Sequence, residues 1–189
     1  MIDLQTTMNQ KFLGAAIAAI AAASAFSAQS AFAADGTITF NGTITAQTCT
    51  INGNGTGSKD FTVTLPKVSA STLATAGQTA GRTPFNISLS DCTPNAGAVA
   101  TYFEPGPTTD TATGRLNLNA GGAGNVQIGL LNSDFTPIKA GFDEASQGSK
   151  TAAINAGSAL LPYYAEYVAT GTATAGAANS SVMYTIVYQ

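Results

Sequence analysis

The chain has 189 residues, about the length of one domain, with a formal net charge of −3 and only 9% charged residues. Its 7 Lys and Arg residues do not form the cluster that phosphate recognition needs, so no nucleic-acid partner is expected. The chain has no histidine, which excludes Ser-His-Asp and Cys-His mechanisms and nearly all His-ligated metal sites. We therefore expect neither an enzyme nor a bound cofactor.

The first segment has the pattern of a secretion signal. Lys11 precedes the apolar run FLGAAIAAIAAASAF, and Ala31 and Ala33 place small residues at the two positions that a signal peptidase reads. We predict a signal peptide at 1–33 that is cleaved after Ala33. A membrane anchor is the weaker alternative, because the apolar run is short for a span and a cleavage site follows it.

The exported part of the chain contains two cysteines, Cys49 and Cys92. In an oxidising compartment a single pair has one intramolecular pairing, so we predict a disulfide bond between them. In the chain-entropy model a closed loop of this size stabilises the fold by roughly 4 kcal/mol. Two free thiols in a reducing compartment are the alternative, which the leader disfavours.

Short segments of alternating apolar and polar residues recur along the mature chain, with Gly- and Asn-rich pieces between them. The apolar parity changes near Gln47 and Thr48, so a break is expected there before the first strand. Many short strands with one disulfide favour a β-sandwich of immunoglobulin type. The predicted strands lie at 49–51, 61–65, 83–92, 99–103, 115–119, 126–131, 160–169 and 181–189, and 69–77 is the candidate for one short helical turn.

Several motifs have a structural explanation that outweighs a functional one. The glycine-rich stretches 53–57 and 121–124 lack the strand–loop–helix setting of a phosphate loop, so plain loops are expected. Tyr163, Tyr164 and Tyr167 could form a platform on which a sugar stacks, but packing within a sheet is the favoured explanation.

Two segments are harder to explain within one closed domain. The chain ends on an uncharged strand that places Val182, Tyr184, Ile186 and Tyr188 on one face. The stretch 35–44 alternates in the same way before the first cysteine. An exposed terminal strand is an aggregation hazard unless something covers its edge. An extended peptide from another molecule would cover it by strand addition.

These residues resemble the major subunits of chaperone–usher fimbriae, the pilins. The resemblance covers essentially all of 34–189 and is carried by GTITFNG before the first cysteine, LPKVS at 65–69, TPFNISLSDC at the second cysteine, AEYVATG and the terminal YTIVYQ. Gly176 stands fourteenth from the end, where the family has a glycine.

The resemblance implies an all-β fold, an incomplete immunoglobulin-like β-sandwich (pilin fold) that is completed by a donor strand from a neighbouring subunit. It implies an N-terminal donor-strand extension at 34–44 and a pilin domain at 45–189. The implied donor residues that face the groove are Gly36, Ile38, Phe40 and Gly42. It also implies an acceptor groove and a chaperone-binding surface at the terminal strand, formed by Gly176, Val182, Tyr184, Ile186, Tyr188 and Gln189. The terminal carboxylate of Gln189 is implied to anchor the chaperone.

The function implied is that of a structural subunit of a bacterial surface fimbria, exported through the periplasm, which polymerises by donor-strand exchange and supports adhesion. The implied partners are identical subunits, a periplasmic chaperone and an outer-membrane usher; a host-surface receptor is left open. The alternative is a minor or tip adhesin subunit that binds a host glycan. A secreted hydrolase on an immunoglobulin-like scaffold is disfavoured by the missing histidine.

Overall fold

A computed structural model describes residues 36–42, 44 and 46–189 of the chain. Residues Ile44–Gln189 form one compact unit, and residues 36–42 belong to a separate unit. Residues 36–42 have no regular secondary structure, and the side chains of Ile38 and Phe40 are 79% and 88% exposed. The predicted signal peptide lies outside the described residues, so the boundaries of leader, extension and domain stay predictions.

The described elements are almost all strands, which confirms the predicted all-β class. In chain order they are β1 (Thr48–Gly53), a 3-10 helix (Ala70–Leu73), β2 (Thr79–Thr93), β3 (Gly97–Phe103), β4 (Leu116–Asn117), β5 (Val126–Asn132), β6 (Pro137–Ile138), α1 (Glu144–Gln147), β7 (Ala152–Ile154), β8 (Ala159–Ala169) and β9 (Tyr184–Tyr188).

The strands form two antiparallel sheets. The larger has the order β1-β2-β8-β5-β4, with β6 also paired to β5, and the smaller has the order β7-β3-β9. One hydrophobic cluster draws residues from both sheets, as in a β-sandwich. The alternation in the strand predicted at 83–92 places Phe85, Ile87 and Leu89 on one face, and all three are buried.

Cys49 and Cys92 form a disulfide bond, as predicted. The bond links β1 to the end of β2, its neighbour in the large sheet. β1 begins at Thr48, directly after the predicted break, and its pairing with β2 shifts register between Thr48 and Thr50. The disulfide therefore holds the edge strand to the sheet beside an irregularity in its ladder.

The structure differs from the predicted elements in three respects. Residues 61–65 are not a strand, although their side chains alternate in burial. The strand predicted at 115–119 is reduced to the two residues of β4. The short elements β6, β7 and α1 were not predicted. The helical turn predicted at 69–77 is present as the 3-10 helix, which the Ser69 side chain caps.

The single turn of α1 places a buried amide against β3. The Asp143 side chain accepts a hydrogen bond from the Ser146 N–H, and Gly148 ends the turn with a φ of 75°. The Gln147 side chain is 1% exposed; its Oε1 accepts from the Phe103 N–H at 2.8 Å and its Nε2 donates to the Phe103 carbonyl at 3.0 Å. Gln147 comes before the start of β7, and its side-chain amide gives Phe103 the hydrogen bonds that a paired strand would otherwise supply.

We expect Gln147→Leu to lower the free energy of unfolding by about 1–3 kcal/mol, because it leaves the buried Phe103 N–H without a partner. Denaturant unfolding followed by circular dichroism measures the change. Ser146→Ala is the matched control on the exposed side of the same turn. Equal stability of the two variants would show that the amide pair contributes nothing.

Candidate functional site

An apolar groove of about 640 Å³ opens between the final strand and residues 59–65. Its floor is the core of the sandwich, and both sheets contribute to it. The floor residues are Phe85, Ile87, Phe103, Leu116, Ile128, Leu130 and Ala165. The groove therefore lies directly over the hydrophobic core, and its floor residues are themselves at most 7% exposed.

One wall of the groove is formed by residues 180–184, which lead into β9. In the described part of the chain β9 pairs with β3 alone. Ala98 and Gln189 exchange main-chain hydrogen bonds of 2.8 and 3.2 Å, and Glu104 N–H donates to the Met183 carbonyl. Because bonded and non-bonded pairs alternate in an antiparallel ladder, Tyr184, Ile186 and Tyr188 direct their main-chain groups away from β3. Within the described residues these groups have no hydrogen-bond partner on that side.

The opposite wall is the segment 61–65. Phe61, Val63 and Leu65 are half-buried and line the groove together with Thr62. In the described part of the chain, residues 61–68 make no main-chain hydrogen bond. The side chains of this segment alternate as in a strand, but among the described residues its main chain pairs with no neighbouring strand. Because its main-chain groups have no partner among the described residues, a strand placed beside this segment could pair with them.

Phe61 and Tyr184 meet at the rim of the groove. Their ring centroids are 6.1 Å apart at an interplanar angle of 64°, an edge-to-face arrangement. The Tyr184 hydroxyl donates a hydrogen bond of 2.7 Å to the Lys59 carbonyl. Burial raises the pKa of the Tyr184 hydroxyl, and the nearby Asp60 carboxylate raises it further. Tyr184 is therefore neutral at physiological pH and able to donate this bond.

The glycine Gly53 makes room for Phe61. A Cβ at Gly53 would lie 1.9 Å from Cδ1 of the Phe61 ring. The ring also packs against Phe85 at a centroid distance of 6.1 Å. The sequence pattern identified Phe61 as an inward residue but carried no signal for the role of Gly53, which follows from the close approach of two chain segments.

The structure places the residues predicted for the terminal strand in different positions relative to the groove. Val182 and Tyr184 line it, Ile186 is buried in the core, and Tyr188 is partly buried against the core. The shared face predicted for these four side chains agrees with this burial. The Gln189 main chain pairs with β3.

Gly176 precedes β9 and is not among the residues that line the groove. A Cβ at this position would lie 2.7 Å from the Ala123 nitrogen and 2.8 Å from its Cα. Gly176 therefore allows two main-chain segments to cross closely, at the loop that contains Gly122.

The three tyrosines considered as a sugar platform do not share a face. Tyr163 and Tyr167 are buried in the core, whereas Tyr164 packs on the outer face of the large sheet against Phe135, at 5.0 Å between ring centroids. The favoured explanation, packing within the sheet, is confirmed for Tyr163 and Tyr167. The alternation of β8 separates them from Tyr164.

In the described part of the chain, no group of three or more Cys, Asp or Glu residues could hold a metal ion. None of the described helices has the length and apolar character that crossing a bilayer requires.

The sandwich with its groove defines the class of the protein, because solved pilins share the fold. The antigen and type I fimbria protein of Burkholderia pseudomallei matches with a TM-score of 0.54 at 31% identity, over 75% of this chain and 99% of that one. The P pilus rod subunit PapA matches with a TM-score of 0.57 at 20% identity, over 75% of this chain and 99% of that one. The chain has the immunoglobulin-like pilin fold.

Sequence comparison gives the family. The family model FimA, type-1 fimbrial protein, A, matches residues 65–189. The major fimbrial subunit SMF-1 of Stenotrophomonas maltophilia (strain K279a) is 56% identical over 150 residues, which cover 76% of this chain and 86% of that protein. The F17 fimbrial protein of Escherichia coli is 50% identical over 149 residues, which cover 76% and 81%.

The chain belongs to the type-1 fimbrial protein family. It is a non-enzymatic structural subunit of a cell-surface fimbrium that is built from identical subunits.

We expect Gly53→Ala to displace Phe61 and to destabilise the domain by about 1–3 kcal/mol through overpacking. In a Phe61→Ala background the same substitution should cost much less, because the clashing ring is gone. The free energies of unfolding of the unmodified domain, the two single variants and the double variant measure the coupling between the two residues. Gly106→Ala is the control, since a Cβ there meets nothing within 4 Å. Equal costs in both backgrounds would contradict the assignment.

Proposed function

We propose that this fimbrial subunit polymerises by donor-strand exchange, in which the N-terminal extension of one subunit fills the groove of the next. The observation that carries the proposal is the groove, whose apolar floor lies between residues 61–65 and the start of β9. Among the described residues, 61–65 make no main-chain hydrogen bond, and β9 has no partner on the side away from β3. A strand inserted there would give the main-chain groups of the walls hydrogen-bond partners, and its inward side chains would cover the apolar floor.

The extension has the composition of the missing strand. Gly36, Ile38, Phe40 and Gly42 fall on alternate positions, and threonines and Asn41 occupy the positions between them. The large side chains of Ile38 and Phe40 are highly exposed in the subunit itself. Placing each of them in a neighbour's groove would contribute about 1.5–3 kcal/mol, and each main-chain hydrogen bond roughly 0.5–1.5 kcal/mol.

The same geometry accounts for a filament. The donor strand and the acceptor groove are different parts of one chain, so the contact is heterologous. Head-to-tail contacts of this kind extend without closing unless the rotation between subunits returns to its start. Because the inserted strand completes the core of its acceptor, leaving the groove would expose that core, and dissociation should be slow.

A subunit on its way to the fimbrium needs its groove covered, since an open strand edge beside apolar residues favours aggregation. We infer that a periplasmic chaperone adds a strand to β9 and binds the terminal carboxylate of Gln189, and that an outer-membrane usher directs the exchange. The uncharged terminal segment and the predicted leader support this route. Adhesion to a host-surface receptor would then be a property of the assembled fimbria.

We expect Phe40→Asp to abolish fibre growth, because a buried unpaired carboxylate would replace the largest apolar side chain of the donor. Electron microscopy of the surface fraction measures fibre formation, and co-purification measures chaperone capture, which should be retained. Thr39→Asp is the matched control, since its side chain would point away from the groove. Normal fibres from Phe40→Asp, or equal loss in both variants, would contradict the donor assignment.

We expect Tyr188→Ala to reduce recovery of the complex with the chaperone, because it removes an aromatic side chain from the inward face of β9. Thr185→Ala is the control on the outward face of the same strand. The yield of chaperone-bound subunit from a periplasmic extract is the measurement. Undiminished capture of Tyr188→Ala would remove Tyr188 from the chaperone surface.

A further inference from the structure

We propose that Phe61 and Tyr184 form a latch across the empty groove, and that opening this latch limits the rate at which a donor strand enters. The inference rests on the proposed function, since it concerns the same groove. It assigns to Tyr184 a role in the kinetics of strand entry in addition to its place in the wall.

The latch joins the two walls that an incoming strand must separate. The hydrogen bond from the Tyr184 hydroxyl to the Lys59 carbonyl is the one hydrogen bond between β9 and residues 59–65 within the described chain. The edge-to-face contact of Tyr184 with Phe61 lies beside it. Both contacts cross the space between β9 and the opposite wall.

The Tyr184 ring also lies on the side where donor side chains must go. Tyr184 shares the inward face of β9 with Ile186, which is buried in the core. An inserted strand would direct Ile38 or Phe40 to that same inward side. The ring of Tyr184 therefore has to move away from Phe61 before, or as, the donor side chains reach the floor.

Tyr184 is the half of the latch that can move. Phe61 is held between Phe85 and the space above Gly53, so its displacement would disturb packing on two sides. The Tyr184 hydroxyl bonds to a carbonyl at the exposed rim, where water can replace either partner. The closed latch bridges the two walls in a free subunit, and its hydrogen bond can open at a small cost.

Strand uptake by the mature chain (34–189) is the direct test. A fluorescent peptide with the sequence of residues 34–45 is mixed in excess with the subunit, and its binding is followed by anisotropy. Tyr184→Phe keeps the ring and removes the hydroxyl, so we expect uptake roughly fivefold faster than in the unmodified subunit. Tyr102→Phe, on the outward face of β3, should leave the rate unchanged.

Phe61→Leu provides a second variant that does not depend on the hydroxyl. It keeps an apolar side chain and removes the ring contact, and it should also accelerate uptake. Rates equal to that of the unmodified subunit in both variants would overturn the latch and leave the groove assignment in place. Absence of uptake in every variant, including the unmodified subunit, would overturn the groove assignment and the latch together.

Discussion

The unpaired edge of β9 is the constraint on which the rest of the structure depends. Main-chain groups beside a hydrophobic core must find partners, and those of Tyr184, Ile186 and Tyr188 have none among the described residues on the side away from β3. The opposite wall, 61–65, has the same deficit. The two incomplete walls lie over one apolar floor. In the proposed polymer, completing the fold of one subunit and joining it to the next are therefore the same step.

The remainder of the domain is closed by other means, so the deficit stays local. The disulfide holds β1 to β2, and Gln147 supplies to Phe103 the hydrogen bonds that a longer β7 would have made. Both features secure strands next to the groove without filling it. The proposed donor strand then meets a preformed groove, which lowers the ordering cost of binding.

Much of the fold could be predicted from the sequence, because burial in a strand follows its period of two. The inward faces of β2 and β9, the disulfide and the break before β1 were all predicted from local patterns. The segment 61–65 shows the limit of such patterns. Its alternation predicts a strand, but a strand also needs a partner, and none of the described residues pairs with this segment. β6 and β7 were not predicted, and β4 was predicted too long, because a strand of two or three residues is too short to show an alternating pattern.

The sequence by itself determined which residues are apolar and on which face of each strand they lie, since that depends only on alternation along the chain. It also determined that no histidine chemistry operates here. Only the tertiary structure decided what these faces meet. The walls of the groove, the contact of Phe61 with Tyr184 and the close crossings at Gly53 and Gly176 join segments far apart in the chain. Contacts of that kind depend on how the strands are arranged in space, and local alternation carries no information about that arrangement.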